Sequence, residues 1–149
     1  MIIERSNSRA NQHGITLVEA VVSMAVGGLM MAGVTNGFIQ CMRQAEWSSY
    51  SLAANSLAIQ RIEQTRAAKW DRLASTPTDN LTSTNFPTDV QVLDIPINKT
   101  NIIYATNFTT ISTISTNPPL KMVRVDCVWR FMNRGLFTNT IATYRAPDQ

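Results

Sequence analysis

The chain is poor in the residues that most chemistry needs. It has one histidine, His13, and two cysteines, Cys41 and Cys127. That inventory cannot build a His- or Cys-rich zinc site, a disulfide scaffold or a Ser-His-Asp or Cys-His triad. Charge is scarce too, at 15% of residues against a typical ~25% for soluble domains. The formal net charge is +3, too weak a bias to argue for nucleic acid. Proline is absent before Pro77, so nothing of that kind interrupts a helix over the first half. At 149 residues the chain has room for one ordinary domain, not comfortably two.

The apolar residues are segregated. Residues 1–14 are polar, with Arg5 and Arg9 against Glu4. Residues 15–42 follow, and Glu19 is their only charge. From Ala20 to Met42 there are 23 uncharged residues, ended by Arg43. At about 1.5 Å per residue such a run covers roughly 30 Å or more, enough to cross a bilayer core. The bland alternative is a buried core helix, but so small a domain has little material to surround it.

Residues 43–74 read as a continuation of the same helix. Leu52, Ile59, Ile62, Trp70 and Leu73 recur at helical spacing, and good helix formers fill the positions between them. Glu63 and Arg66 stand three apart, the spacing of a helical ion pair. A helix from Ile15 to about Leu73 exceeds the usual globular length and indicates a membrane span, a coiled coil or both.

At Ser75 the composition changes. Between Ser75 and Pro119, 21 of 45 residues are Ser, Thr or Asn, which suits loops and exposed sheet faces. Turns are expected at 77–80, 98–101 and 117–119, with strands at 89–97, 101–105 and 109–115. Residues 75–88 read either as a loop or as disorder. Residues 120–132 alternate apolar and polar, Asn133-Arg134-Gly135 is a hairpin connection, and 136–145 return as a strand. Trp47, Trp70 and Trp129 read as interface or core aromatics. Asp71, Asp79, Asp89 and Asp94 lack the spacing of a calcium loop.

One junction carries a specific pattern: His13-Gly14-Ile15-Thr16-Leu17-Val18-Glu19-Ala20. A short basic leader ends in Gly, and a long apolar helix follows with a lone carboxylate at its fifth residue. This resembles the type IV pilin family, including the pseudopilins of type II secretion. In that family Gly is followed by Phe and then Thr-Leu-Ile-Glu. Gly14, Thr16, Leu17 and Glu19 match, while Ile15 replaces the usual Phe and Val18 the usual Ile. The Ala-rich stretch 53–71, with Gln60 and Glu63 in a Gln-x-x-Glu spacing, and the strand pair 120–145 look like minor pilins and minor pseudopilins.

The resemblance implies cleavage after Gly14 by prepilin peptidase on the cytoplasmic side, and N-methylation of Ile15. Glycine there lets backbone approach a protease closely. An isolated carboxylate in the bilayer costs on the order of 2.5–3.5 kcal/mol on insertion scales. Glu19 therefore either rests in the headgroup zone or meets a cation. The resemblance implies the second, with Glu19 of one subunit neutralising the Ile15 amine of its neighbour and setting axial register. Near the helix start Glu19 also complements the macrodipole. Ser23 with Gly27, and Gly33 with Gly37, form small-xxx-small pairs that permit close helix packing in membrane or filament. Gly27-Gly28 also weakens the helix, where filaments of this family loosen. The two cysteines are expected as free thiols, Cys41 near the membrane and Cys127 in mid-strand.

The expected fold is α+β and pilin-like, a long N-terminal helix whose outer half packs on a small C-terminal antiparallel sheet. The expected organisation is 1–14 leader, 15–42 transmembrane or filament-core helix, 43–74 soluble helix, and 75–149 periplasmic loop and sheet head. The expected function is a structural subunit, of the minor class, of a type IV pilus or a type II secretion pseudopilus. It needs no cofactor or metal and no catalytic residues. Its partners are prepilin peptidase, other pilin or pseudopilin subunits, the inner-membrane assembly platform and the lipid bilayer, not nucleic acid. Two other readings compete: a membrane-tethered binding module whose Thr/Asn-rich head contacts a surface, DNA or a secreted protein, and a secreted hydrolase. The hydrolase reading needs an ordinary signal peptide, whose apolar region would be shorter and uninterrupted by Glu19.

Overall fold

The computed structural model describes residues 16–94, 102–131 and 134–148. The chain divides into two compact units, residues 1–43 and 44–149. A single helix, α1 (Leu17–Ala67, 51 residues), begins in the first and ends in the second.

In the first unit α1 is exposed at nearly every position. It is long and apolar enough to cross a membrane, and none of its apolar window is buried within the chain. Thr35 Oγ1 donates to the Met31 carbonyl at 2.8 Å, so this hydroxyl is satisfied by its own helix.

The second unit is built on a four-stranded antiparallel meander, β3 (Asp89–Asp94), β4 (Ile103–Thr116), β5 (Pro119–Arg130) and β6 (Leu136–Arg145), in the order β3-β4-β5-β6. Before it comes a two-stranded ribbon, β1 (Trp70–Asp71) and β2 (Thr78–Asp79), and a 3₁₀ turn at Ser83–Asn85. Alternation in β5 puts Lys121, Val123, Val125, Cys127 and Trp129 on the buried face. The expected bounds of β6 are those observed.

α1 lies along that face through Tyr50, Ala54, Ala58, Ile62 and Thr65. Trp47 packs against Phe137, with ring centroids 6.0 Å apart. Asn139 Nδ2 donates to the Ser51 carbonyl at 3.2 Å. Arg145 donates to the Thr65 carbonyl. The part of α1 in the second unit therefore runs in the same direction as β6. Trp129 sits at the centre of the aromatic core, stacked on Phe137 (5.2 Å) and edge-on to Tyr50 and Phe131. Its indole N–H donates to Asn139 Oδ1 at 2.7 Å. The Glu63–Arg66 pair forms at 2.6 Å on the exposed side.

Four local expectations are corrected. First, the helical face is not the one the larger apolar residues suggest. Leu52 is 70% exposed and Ile59 47%, while Ala54 and Ala58 are fully buried. Ile62 is buried as expected, but Ala54 and Ala58 hold the middle of the helix–sheet contact and Leu52 and Ile59 lie outside it. Second, the helix stops at Ala67 and not near Leu73. Trp70 N–H donates to Asp148 Oδ2 (2.8 Å) and Asp148 N–H to the Trp70 carbonyl (2.7 Å), so the C-terminal segment draws Trp70 into extended structure. Third, residues 101–105 and 109–115 are not separate strands, because Thr106, Asn107 and Phe108 pair with both neighbours or with β5 inside one long β4. Fourth, the expected turn at 77–80 contains β2, and Leu81 just after it is fully buried. The expected turn at 98–101 lies outside the described residues.

Candidate functional site

The site singled out in the sequence is the start of α1. Gly14 and Ile15 lie outside the described residues. Thr16, just before the helix, accepts the Glu19 backbone N–H on Oγ1 at 3.3 Å, and its carbonyl accepts the Ala20 N–H at 3.0 Å. Thr16 is thus the N-cap and Glu19 the third helical residue, the spacing of a capping box. The local signal for this cap is the Thr-x-x-Glu spacing of Thr16 and Glu19. Glu19 itself is exposed in the first turn, and among the described residues no cation pairs with it. A carboxylate so placed is favoured by the helix dipole and remains available to a cation from elsewhere.

The helix continues without a break through Gly27 and Gly28. At 3.6 residues per turn, Glu19, Ser23, Gly27, Gly33 and Gly37 fall within an arc of about 120°, and Gly28 points away from it. Among the described residues a Cβ added at Gly27, Gly28, Gly33 or Gly37 meets nothing within 4 Å, so their fold does not require glycine there. The residue choice is free to serve contacts with another molecule.

The motif is also recognised independently. Residues 9–35 match the family model of the prokaryotic N-terminal methylation motif. That motif, over these residues, supports a type IV pilin-like reading. No curated protein and no solved structure matches it. The pilin-like α+β architecture expected from the sequence is the one observed, a long N-terminal helix packed on antiparallel strands.

In the second unit, polar groups gather at two places. The first is the C-terminal clasp. Arg145 caps the α1 C-terminus through Thr65 and donates to Asp148 Oδ1 at 2.8 Å. The Trp70 N–H, and then Arg145, hold the Asp148 carboxyl below the usual carboxylate range. Beside it lies a cleft of about 320 Å³, lined by Trp70, Asp79, Thr113 and Lys121 among others. Lys121 pairs with Asp79, donates to the Leu81 carbonyl at 2.8 Å, and rests 4.8 Å from the Trp70 ring centroid. Two of its three N–H groups are thus spent within the fold, and the charge rests over the Trp70 ring.

The second is under the part of α1 that lies in the second unit. The Tyr50 hydroxyl donates to Asp94 Oδ2 at 2.8 Å, with Glu46 Oε1 at 3.3 Å. Burial first, then Asp94, pushes the phenol well above its ordinary range. Cys41 and Cys127 are both free thiols, and burial pushes Cys127 up to about 11, which makes it inert. Among the described residues no group of three or more His, Cys, Asp or Glu side chains is placed to hold a metal ion.

Proposed function

We propose that the chain is a structural subunit, of the minor class, of a type IV pilus or a type II secretion pseudopilus. The observation that carries this reading is the methylation motif at residues 9–35 set on a helix that exposes its whole apolar length. Prepilin peptidase cuts after Gly14 on the cytoplasmic side, and the new amine at Ile15 is methylated. The apolar part of α1 then holds the subunit in the inner membrane as a single pass, with the sheet head in the periplasm. The assembly platform extracts the subunit, and the apolar helices rebury one another in the filament core, where the hydrophobic term repays their removal from lipid.

Glu19 meets the Ile15 amine of a neighbouring subunit and sets the axial step. The capping geometry supports this role, because Thr16 fixes the first turn and leaves the Glu19 side chain outward. In a dry bundle such a charge pair is worth more than in water. The work is assembly and not catalysis.

The decisive experiment is the mass of the mature N-terminus from cells with active prepilin peptidase. The expected chain starts at Ile15 and carries a methyl group. An intact leader, or cleavage beyond Gly37, overturns the reading.

A further inference from the structure

The four-stranded sheet has two edges, β3 and β6. β3 carries the devices that keep an edge from pairing. It is six residues long, its register shifts between Val92 and Asp94, and a carboxylate stands at each end. β6 carries none of these. It runs for ten residues, pairs with β5 without a break, and holds no proline, lysine or carboxylate. Its one charge, Arg145, is the last residue and is turned to the Thr65 carbonyl and Asp148.

The ladder fixes where the backbone groups of β6 point. The Phe131 N–H donates to the Gly135 carbonyl at 3.2 Å, one step beyond the Arg130–Leu136 pair. Antiparallel pairs alternate between hydrogen-bonded and non-hydrogen-bonded, so Phe137, Asn139, Ile141, Thr143 and Arg145 bond to β5. The N–H and C=O groups of Leu136, Thr138, Thr140, Ala142 and Tyr144 point off the sheet. Among the described residues none of these ten groups has a partner. The side chains of the same five residues are exposed, Leu136 at 66% and Tyr144 at 65%. Five free donors and five free acceptors in regular order match one more strand. Ten main-chain bonds are as many as a typical whole interface carries. No side chain from Leu136 to Tyr144 is charged, so the matching segment is uncharged too.

A second copy of β6 is not that segment. An antiparallel pair of β6 edges is isologous, whereas the Glu19-to-Ile15 stacking proposed above is heterologous and repeats in one direction. Resting for this exclusion on the reading of the chain as a stacked subunit, we infer that β6 is a strand-addition site. It takes an extended, uncharged segment of a different protein, antiparallel along Leu136–Tyr144. Main-chain bonds supply the affinity, and apolar side chains set beside Leu136 and Tyr144 supply the choice of partner.

The probe is a capped synthetic peptide with the sequence of residues 136–144, an uncharged segment free of any helix. It is added to the full chain in detergent micelles, and amide hydrogen exchange is followed residue by residue. With peptide at about nine times its dissociation constant, the Thr138, Thr140 and Ala142 amides are expected to slow roughly tenfold. The Asn139, Ile141 and Thr143 amides, bonded to β5, report on the fold and should not change. A peptide N-methylated at the positions of Thr138, Thr140 and Ala142 should have no effect, because it lacks the donors that face β6. Unchanged exchange at millimolar peptide, or equal slowing by the methylated peptide, overturns the strand site. Slowing of the same three amides without peptide, growing with protein concentration, overturns the choice of occupant, since a second copy then fills the edge. The N-terminal mass of the same preparation tests the subunit reading separately.

Discussion

Asn107 is fully buried on the inner face of β4, yet among the described residues neither its amide nitrogen nor its amide oxygen has a partner. Its register partners are Asp89 on one side and Cys127 on the other. An unmet buried polar group costs about 1–3 kcal/mol, and replacing it with an apolar group of similar shape removes that cost. Asn107→Leu is therefore expected to raise the thermal midpoint of the full chain in detergent, by an amount equivalent to about 1 kcal/mol. A lowered midpoint would show that the amide holds a bound water that leucine displaces. Nothing local distinguishes Asn107 in the sequence, since it lies in a stretch rich in Asn and Thr. Lys121 was hidden in the same way. It reads as the polar partner of Met122 in an alternating strand, but its register turns it inward to Asp79 and Trp70.

At the scale of elements, the junction of α1 with the sheet depends on what is small. Ala54 and Ala58 are both fully buried and separated by one helical turn. Overpacking a well-filled core costs typically 1–3 kcal/mol. Ala58→Leu should lower the urea midpoint of the head by an amount in that range. Ser56→Leu should not, because Ser56 lies on the exposed side of the same turn. The C-terminal clasp predicts a pH dependence. The Asp148 carboxyl titrates below its ordinary range because of the Trp70 N–H and then Arg145. A carboxyl that is more acidic folded than unfolded stabilises the fold at neutral pH. That contribution starts to fade near the unfolded value of about 3.9 and is lost as pH falls through the lower folded one. Asp126 acts in the same window. There burial pushes the carboxyl up, but Thr140 and Arg124 outweigh it and the net shift is downward. Acid titration followed by near-ultraviolet circular dichroism should show a shallower loss of structure for Asp148→Asn than for the unaltered chain.

At the scale of the whole molecule, two kinds of residue demand separate from each other. Gly33 and Gly37 have open space around them within the chain. Gly33→Leu or Gly37→Leu should leave the melting of the head unchanged and reduce filament yield, measured as sheared or cross-linked assemblies. Equal yield would show that small residues on this face are not needed for helix packing. Glu19→Ala should still insert, since it removes a charge from the helix start, but assemble poorly. Incorporation at the unaltered level would remove Glu19 from any register role.

Periodicity and local chemistry are what the sequence determined. The uncharged run, the Thr16–Glu19 cap spacing, the Glu63–Arg66 pair, the alternation of β5 and the bounds of β6 all follow from residues a few positions apart. Such signals survive because helix and strand repeat every few residues. Tertiary structure alone decided where α1 ends, which of its faces is buried, that β4 is one strand, and that Asn107 and Lys121 point inward. Three of these turn on a partner far along the chain: Asp148 and Arg145 for the helix end, the β-sheet for Ala54 and Ala58, and Asp79 for Lys121. Contacts between residues so distant in sequence leave no period to read, and burial makes them worth more than the local preferences they override.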